Sequence, residues 1–189
     1  MSKELVINNE DHLTDDTRNL LDHLKGREHE DIISELDTNG VTLEIACENT
    51  LRDFNMGSIV RTANAFGVRR VHIVGRRQWN KRGAMATNKY LHVLHHPTLE
   101  DFVTNMKSRN VHIFAIENNG TSTSLFDETL PANVCLVFGQ EGPGVSDEFL
   151  AKAERVLHID QYGSTRSMNV GHAAAIAMYE WSRQHRIIG

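Results

Sequence analysis

The sequence predicts an α/β fold, a mostly parallel sheet with helices on both faces, and three observations carry that expectation. From Val41 onward, short β-rich runs alternate with segments of helical periodicity, the order expected of βαβ units. The length of 189 residues fits one domain with a substantial core plus a small appendage. Polar, glycine-bearing stretches follow several of the β-rich runs, where an open α/β sheet binds its ligands.

The elements follow in chain order. TDDTRNLLDHLKG places Leu20, Leu21 and Leu24 at helical spacing, and EHEDIISELD does the same with Ile32, Ile33 and Leu36; Gly26 and Gly40 punctuate their ends. Residues 1–40 are therefore expected to be an acidic helical extension, and residues 41–189 the main domain. Strands are expected at Val41–Cys47, Arg70–Val74, Leu91–Leu94, Val111–Ile116, Val134–Phe138 and Val156–Ile159. Helices are expected near Gly57–Phe66, Leu99–Ser108 and Asp147–Ala153, with Val170–Gln184 closing the chain.

Composition narrows the class. With 40% hydrophobic and 24% charged residues the chain is an ordinary globular one. It has neither an apolar leader nor a run of roughly 18 apolar residues, so no membrane segment and a cytoplasmic location are expected. Cys47 and Cys135 lie in apolar runs and read as buried thiols. The net charge of −5 is uneven: residues 1–50 hold 13 acidic and 4 basic side chains, residues 51–189 hold 12 and 16. A polyanionic partner for the main domain stays open.

Three stretches carry the candidate chemistry. ENTLRDFNMGSIVRTANAFG sets Asn55 and Gly57 before a helix and Arg61 one turn in; Arg61 is either a solvated charge or a bidentate phosphate clamp. FGQEGPGVSDEFL offers a loop with three glycines and a helix start at Ser146, either a tight turn or a close approach to a flat ligand. IDQYGSTRSMNVGHAAAIAMYEW crowds Ser164, Thr165, Arg166, Ser167 and Asn169 before a helix smoothed by Ala173, Ala174, Ala175 and Ala177, a face for its own sheet or for a second copy. Neither G-x-G-x-x-G nor a P-loop occurs.

Between the first two stretches, Arg76, Arg77, Lys81 and Arg82 surround Trp79, an arrangement suited to phosphates and stacked bases if the indole is exposed. His92, His95 and His96 invite a metal, but no matching carboxylate or cysteine set accompanies them, and no metal is expected.

In order, NMGSIVRTANAFG (55–67), LVFGQEGPGVS (136–146) and STRSMNVGHAAAIAM (164–178) resemble the three motifs of the SpoU/TrmH branch of the SPOUT RNA methyltransferases. The resemblance implies a C-terminal deep trefoil knot, S-adenosylmethionine as cofactor, and methyl transfer to a ribose 2′-hydroxyl of tRNA or rRNA. It also implies a homodimer through the C-terminal helix and knot region, favouring the dimer reading of the alanine-rich face. Carried onto this chain, Asn55, Arg61, Glu141, Ser167 and Asn169 form the polar active-site set. By the same resemblance the backbone of Phe138, Gly139, Ile159 and Met168 would meet the cofactor, with Gly142 giving close approach and Asn169 positioning cofactor or ribose, and Arg61, Arg76, Arg77, Trp79, Lys81, Arg82 and Arg166 would meet the RNA. A base methyltransferase on the same fold and a non-catalytic RNA-binding protein are the alternatives.

Overall fold

The computed structural model of the chain describes residues 20–50 and 55–186. Seven strands make one sheet: β1 (Glu44–Asn49), β2 (Arg70–Gly75), β3 (His92–His96), β4 (His112–Ile116), β5 (Thr123–Ser124), β6 (Val134–Phe138) and β7 (Arg155–His158). Their order is β3-β2-β1-β6-β4-β7-β5, and every pairing is parallel. The helices are α1 (His29–Asn39), α2 (Met56–Ala65), α3 (Leu99–Ser108), α4 (Asp147–Leu150) and α5 (Val170–His185).

Successive strand residues serve opposite faces, and the core divides accordingly. Ile45, Ile73 and Leu136 pack with Ile59 and Val60 of α2 and Met178 of α5. Their neighbours Ala46, Val74 and Val137 pack with Phe102 and Met106 of α3 and Phe149 of α4. Both faces of the sheet are thus covered, as an all-parallel sheet requires.

Most expected elements appear, with shifted ends. Strand β1 begins three residues late, because Val41 makes only an isolated bridge to Val68. Strand β3 runs on to His96, whose side chain is buried in the sheet. The segment after Ser146 gives four helical residues, not seven: Ser146 caps it by accepting from the Phe149 amide, and the chain turns out of the helix at Ala151. The two-residue β5 was not expected at all.

Of the first expected helix, residues 14–19 lie outside the described residues. Its described part forms a 3-10 turn, Asp22–Leu24, with Leu24 buried and Leu21 63% exposed, so the three leucines do not share one apolar face. Helix α1 docks through Asp37, which accepts from Arg69 Nε at 2.7 Å and meets His92 Nε2 at 2.9 Å. Gly40 ends it with ordinary φ; its lack of a side chain matters because a Cβ would lie 2.2 Å from the Arg69 side chain.

Of the four alanines of α5, Ala174 and Ala177 pack inward, and Ala173 and Ala175 are half-buried. Ala174, Ala177, Met178 and Trp181 follow helical spacing and are buried beside α2, so Ala174 and Ala177 cannot serve a second copy. Ile176 and Tyr179 are the large apolar residues that α5 leaves exposed. Cys47 and Cys135 are buried, and neither is in a disulfide. Among the described residues, no helix is long and apolar enough to cross a membrane.

Candidate active site

Because all strands run parallel, β4, β6 and β7 end at the same edge, and a pocket of about 260 Å³ opens beyond those ends. Gly139, Glu141 and Gly142 line it from the loop after β6, and Ile159, Ser167, Met168 and Asn169 from the segment after β7. The contact expected of Phe138 is one of its backbone; its side chain is fully buried in the core, and Gly139 is the first residue of this loop to line the pocket.

The glycines of the β6 loop have separate reasons. Gln140 and Gly144 exchange backbone hydrogen bonds of 3.1 and 3.0 Å, folding the loop onto itself. A Cβ at Gly139 would then lie 2.0 Å from the Gly144 carbonyl carbon. Gly142 (φ +100°) and Gly144 (φ +73°) occupy backbone space that other residues rarely adopt.

One hydrogen-bonded chain joins the three motifs. The Asn169 amide donates to Asn55 Oδ1 at 2.9 Å, and the Asn55 amide donates to Glu141 Oε2 at 2.9 Å. Asn169 Oδ1 meanwhile caps α5, accepting from Gly171 N at 2.9 Å and His172 N at 3.3 Å. Asn55 stands at the cap position of α2 but makes no side-chain cap, which leaves its amide for the other two motifs. Gly171 permits the approach: a Cβ there would be 3.1 Å from Asn169 Oδ1.

Arg61 is exposed on α2 and forms no ion pair with the described residues. Arg76, Arg77, Arg82 and Arg166 are exposed and Lys81 half-buried, leaving basic groups near the motif-bearing surface. Trp79 is the exception. It is 8% exposed and belongs to the main core, so its ring offers no stacking face to a base. The cause is the tight seating of its loop: Asn49 Nδ2 donates to the Arg76 and Gln78 carbonyls, and a Cβ on Gly57 would lie 2.5 Å from Gly83 N. The three histidines disperse: His92 meets Asp37, His95 the Gly75 carbonyl and His96 His72. No group of three or more potential ligands placed to hold a metal occurs among the described residues.

Two carboxylates that the sequence reading passed over fasten the glycine loop. Glu117, just beyond β4, accepts from Val145 N at 2.7 Å, and Glu48 on β1 accepts from Ser146 N at 2.9 Å. The signal in the sequence is position, since Glu117 directly follows the expected strand Val111–Ile116. Glu117 and Glu141 make the charged lining of the pocket acidic, beside apolar Ile116, Ile159 and Met168.

The family described as SpoU rRNA Methylase matches residues 42–179. The tRNA (guanosine(18)-2′-O)-methyltransferase of Escherichia coli (strain K12) is 32% identical over 152 residues, covering 78% of this chain and 66% of that enzyme. This chain therefore spans just under two thirds of that relative's length. Among solved structures, the A. aeolicus TrmH/SpoU tRNA modifying enzyme superposes with a TM-score of 0.71 at 25% identity, covering 82% of this chain and 83% of that one. An AdoMet-bound rRNA methyltransferase from Sinorhizobium meliloti shares the fold, with a TM-score of 0.68 at 24% identity over 78% of this chain and 57% of that one.

Proposed function

The chain belongs to the SpoU rRNA Methylase family, and on that premise we propose that it transfers a methyl group from S-adenosylmethionine to a ribose 2′-hydroxyl of tRNA or rRNA. The observation that carries this reading is the Asn169–Asn55–Glu141 chain at the edge of the acidic pocket, which ties the three motifs into one constellation.

The pocket residues suit the cofactor. S-adenosylmethionine is cationic at sulfur with a flat adenine, and the pocket combines the Glu141 carboxylate with Ile116, Ile159 and Met168. Its volume of about 260 Å³ is near the lower end of ligand sites, roughly 300 Å³. The cofactor, when bound, would supply an electrophilic methyl to the ribose oxygen and leave as a thioether, with the hydroxyl proton passing to solvent water. Gly139, Gly142, Ile159 and Met168 hold the cofactor, and Ser167 and Asn169 position it or the ribose. Arg61 grips the RNA phosphate beside the reacting hydroxyl, orienting it for in-line attack. A guanidinium does not surrender its own proton at working pH, so Arg61 acts as a clamp and not as the base. Arg76, Arg77, Lys81, Arg82 and Arg166 meet the RNA backbone.

The same reading includes the trefoil knot at residues 138–144 and 159–169, and residues 1–40 as an extension of the catalytic domain. It also includes a homodimer through α5 and the knot region, with Ile176 and Tyr179 in the contact in place of the buried Ala174 and Ala177.

The test is label transfer. The protein is incubated with methyl-labelled S-adenosylmethionine and with tRNA or ribosomal RNA from cells lacking its gene. Label entering one of these RNAs is the expected result; none entering either overturns the proposal.

A further inference from the structure

Glu117 lies outside the polar set that the motifs single out, yet its carboxylate bonds the glycine-rich loop directly. Its backbone amide donates to Leu157 O at 2.9 Å, so its position is set by the pairing of β4 with β7. One carboxylate oxygen accepts from Val145 N at 2.7 Å, and the other from Asn118 N at 3.0 Å. The loop closes onto it: a Cβ on Gly144 would lie 2.3 Å from Glu117 Oε2. Asn118 in turn donates its side-chain amide to the Arg166 carbonyl at 3.2 Å, reaching the other wall of the pocket.

We propose that Glu117 is a positioning residue that holds the glycine-rich loop, residues 139–146, in the form that receives S-adenosylmethionine. The inference rests on the cofactor site described above and adds a residue to it. Gly139, Gly142 and Gly144 give this loop many alternative backbone conformations. The bond that the Val145 N–H donates to the Glu117 carboxylate selects one of them before the cofactor arrives. Glu117 thereby acts on the cofactor through the loop, and the loss of its brace raises the cost of ordering that loop on binding.

The experiment compares wild type, Glu117→Ala and Glu117→Gln. Amide hydrogen exchange is followed in cofactor-free protein, and Kd for S-adenosylmethionine and S-adenosylhomocysteine is measured by calorimetry. Glu117→Ala should speed exchange across residues 140–146 about tenfold, leave exchange in β1 and β6 unchanged, and weaken both ligands alike by about tenfold, since the charge on sulfur is not what is lost. Glu117→Gln should recover most of both effects, because its amide oxygen still accepts from Val145 N. Unchanged exchange and affinity in Glu117→Ala, or equal impairment in the two variants, overturns the brace. So does loss of protection throughout the sheet, which would mark a general loss of fold. Wild-type protein that binds neither ligand overturns the proposed activity and the cofactor role of Glu117 with it, whereas the exchange result still judges the brace alone.

Discussion

The Asn55 amide donates to Glu141 at 2.9 Å across 86 positions of sequence, linking the start of α2 to the glycine loop after β6. Asn55 Oδ1 at the same time receives the Asn169 amide, so the two ends of one side chain serve two different motifs.

Such a link makes the residues act as a unit. Asn55→Ala and Glu141→Ala should each lower kcat/KM, and the double variant should lose less than the two separate losses combined. The expected coupling is about 1 kcal/mol, within the range for contacting polar pairs. Steady-state kinetics of the four proteins measures it, and strict additivity contradicts a working link.

Arg61→Lys keeps the charge and loses the planar fork. Transfer should fall on the order of 100-fold, the cost of misplacing a reacting group, while S-adenosylmethionine affinity stays near wild type. Turnover close to wild type argues against a geometric clamp.

Trp79, being in the core, should matter for stability. Trp79→Ala should cost about 3–5 kcal/mol in urea unfolding, and Trp79→Phe should leave RNA affinity nearly unchanged. A selective loss of RNA binding in a fully stable Trp79→Phe protein would restore a direct role for the ring.

A buried polar cluster on the α3 side sets the acid limit of the fold. Glu44 Oε2 meets His72 Nε2 at 2.9 Å, His72 Nδ1 meets His96 Nε2 at 2.8 Å, and Arg109 forks onto both Glu44 oxygens. Burial pushes the Glu44 carboxyl up, but the bonds from Arg109 and His72 win and bring it from 4.5 to about 2. Burial lowers the His72 value below 6.5, against the pull of Glu44. Both folded values lie below the unfolded ones, so both contributions are full above the unfolded values and fade as pH falls. The His72 share starts to go below pH 6.5, and the Glu44 share, roughly 3 kcal/mol, goes between pH 4.5 and about 2. Urea unfolding at several pH values should show this decline, and Glu44→Gln should flatten the part below pH 4.5; an equal decline in that variant assigns the acid loss to other groups.

Some of this was legible from local pattern. The all-apolar run Val134–Phe138 and the capped, amphipathic Leu99–Ser108 appear with the ends expected of them, because each is bounded by its own turn residues. The sheet order was not legible, since nothing local tells β6 to insert between β1 and β4. Asn55, Glu141 and Asn169 could be picked out through motif resemblance, but their bonding chain depends on three segments meeting at one edge. Glu117 was missed because a carboxylate after a strand usually reads as a solvated turn residue, and only the returning loop gives it Val145 N as a partner. Trp79 shows the converse: Arg76, Arg77 and Arg82 beside it are exposed while the indole turns into the core.

The central claim concerns the atom that receives the methyl group. RNA labelled by the protein is digested to nucleosides and analysed by mass spectrometry. The account predicts the added methyl on the ribose of one nucleoside, with the base unchanged; a methylated base, with unmodified ribose, contradicts it.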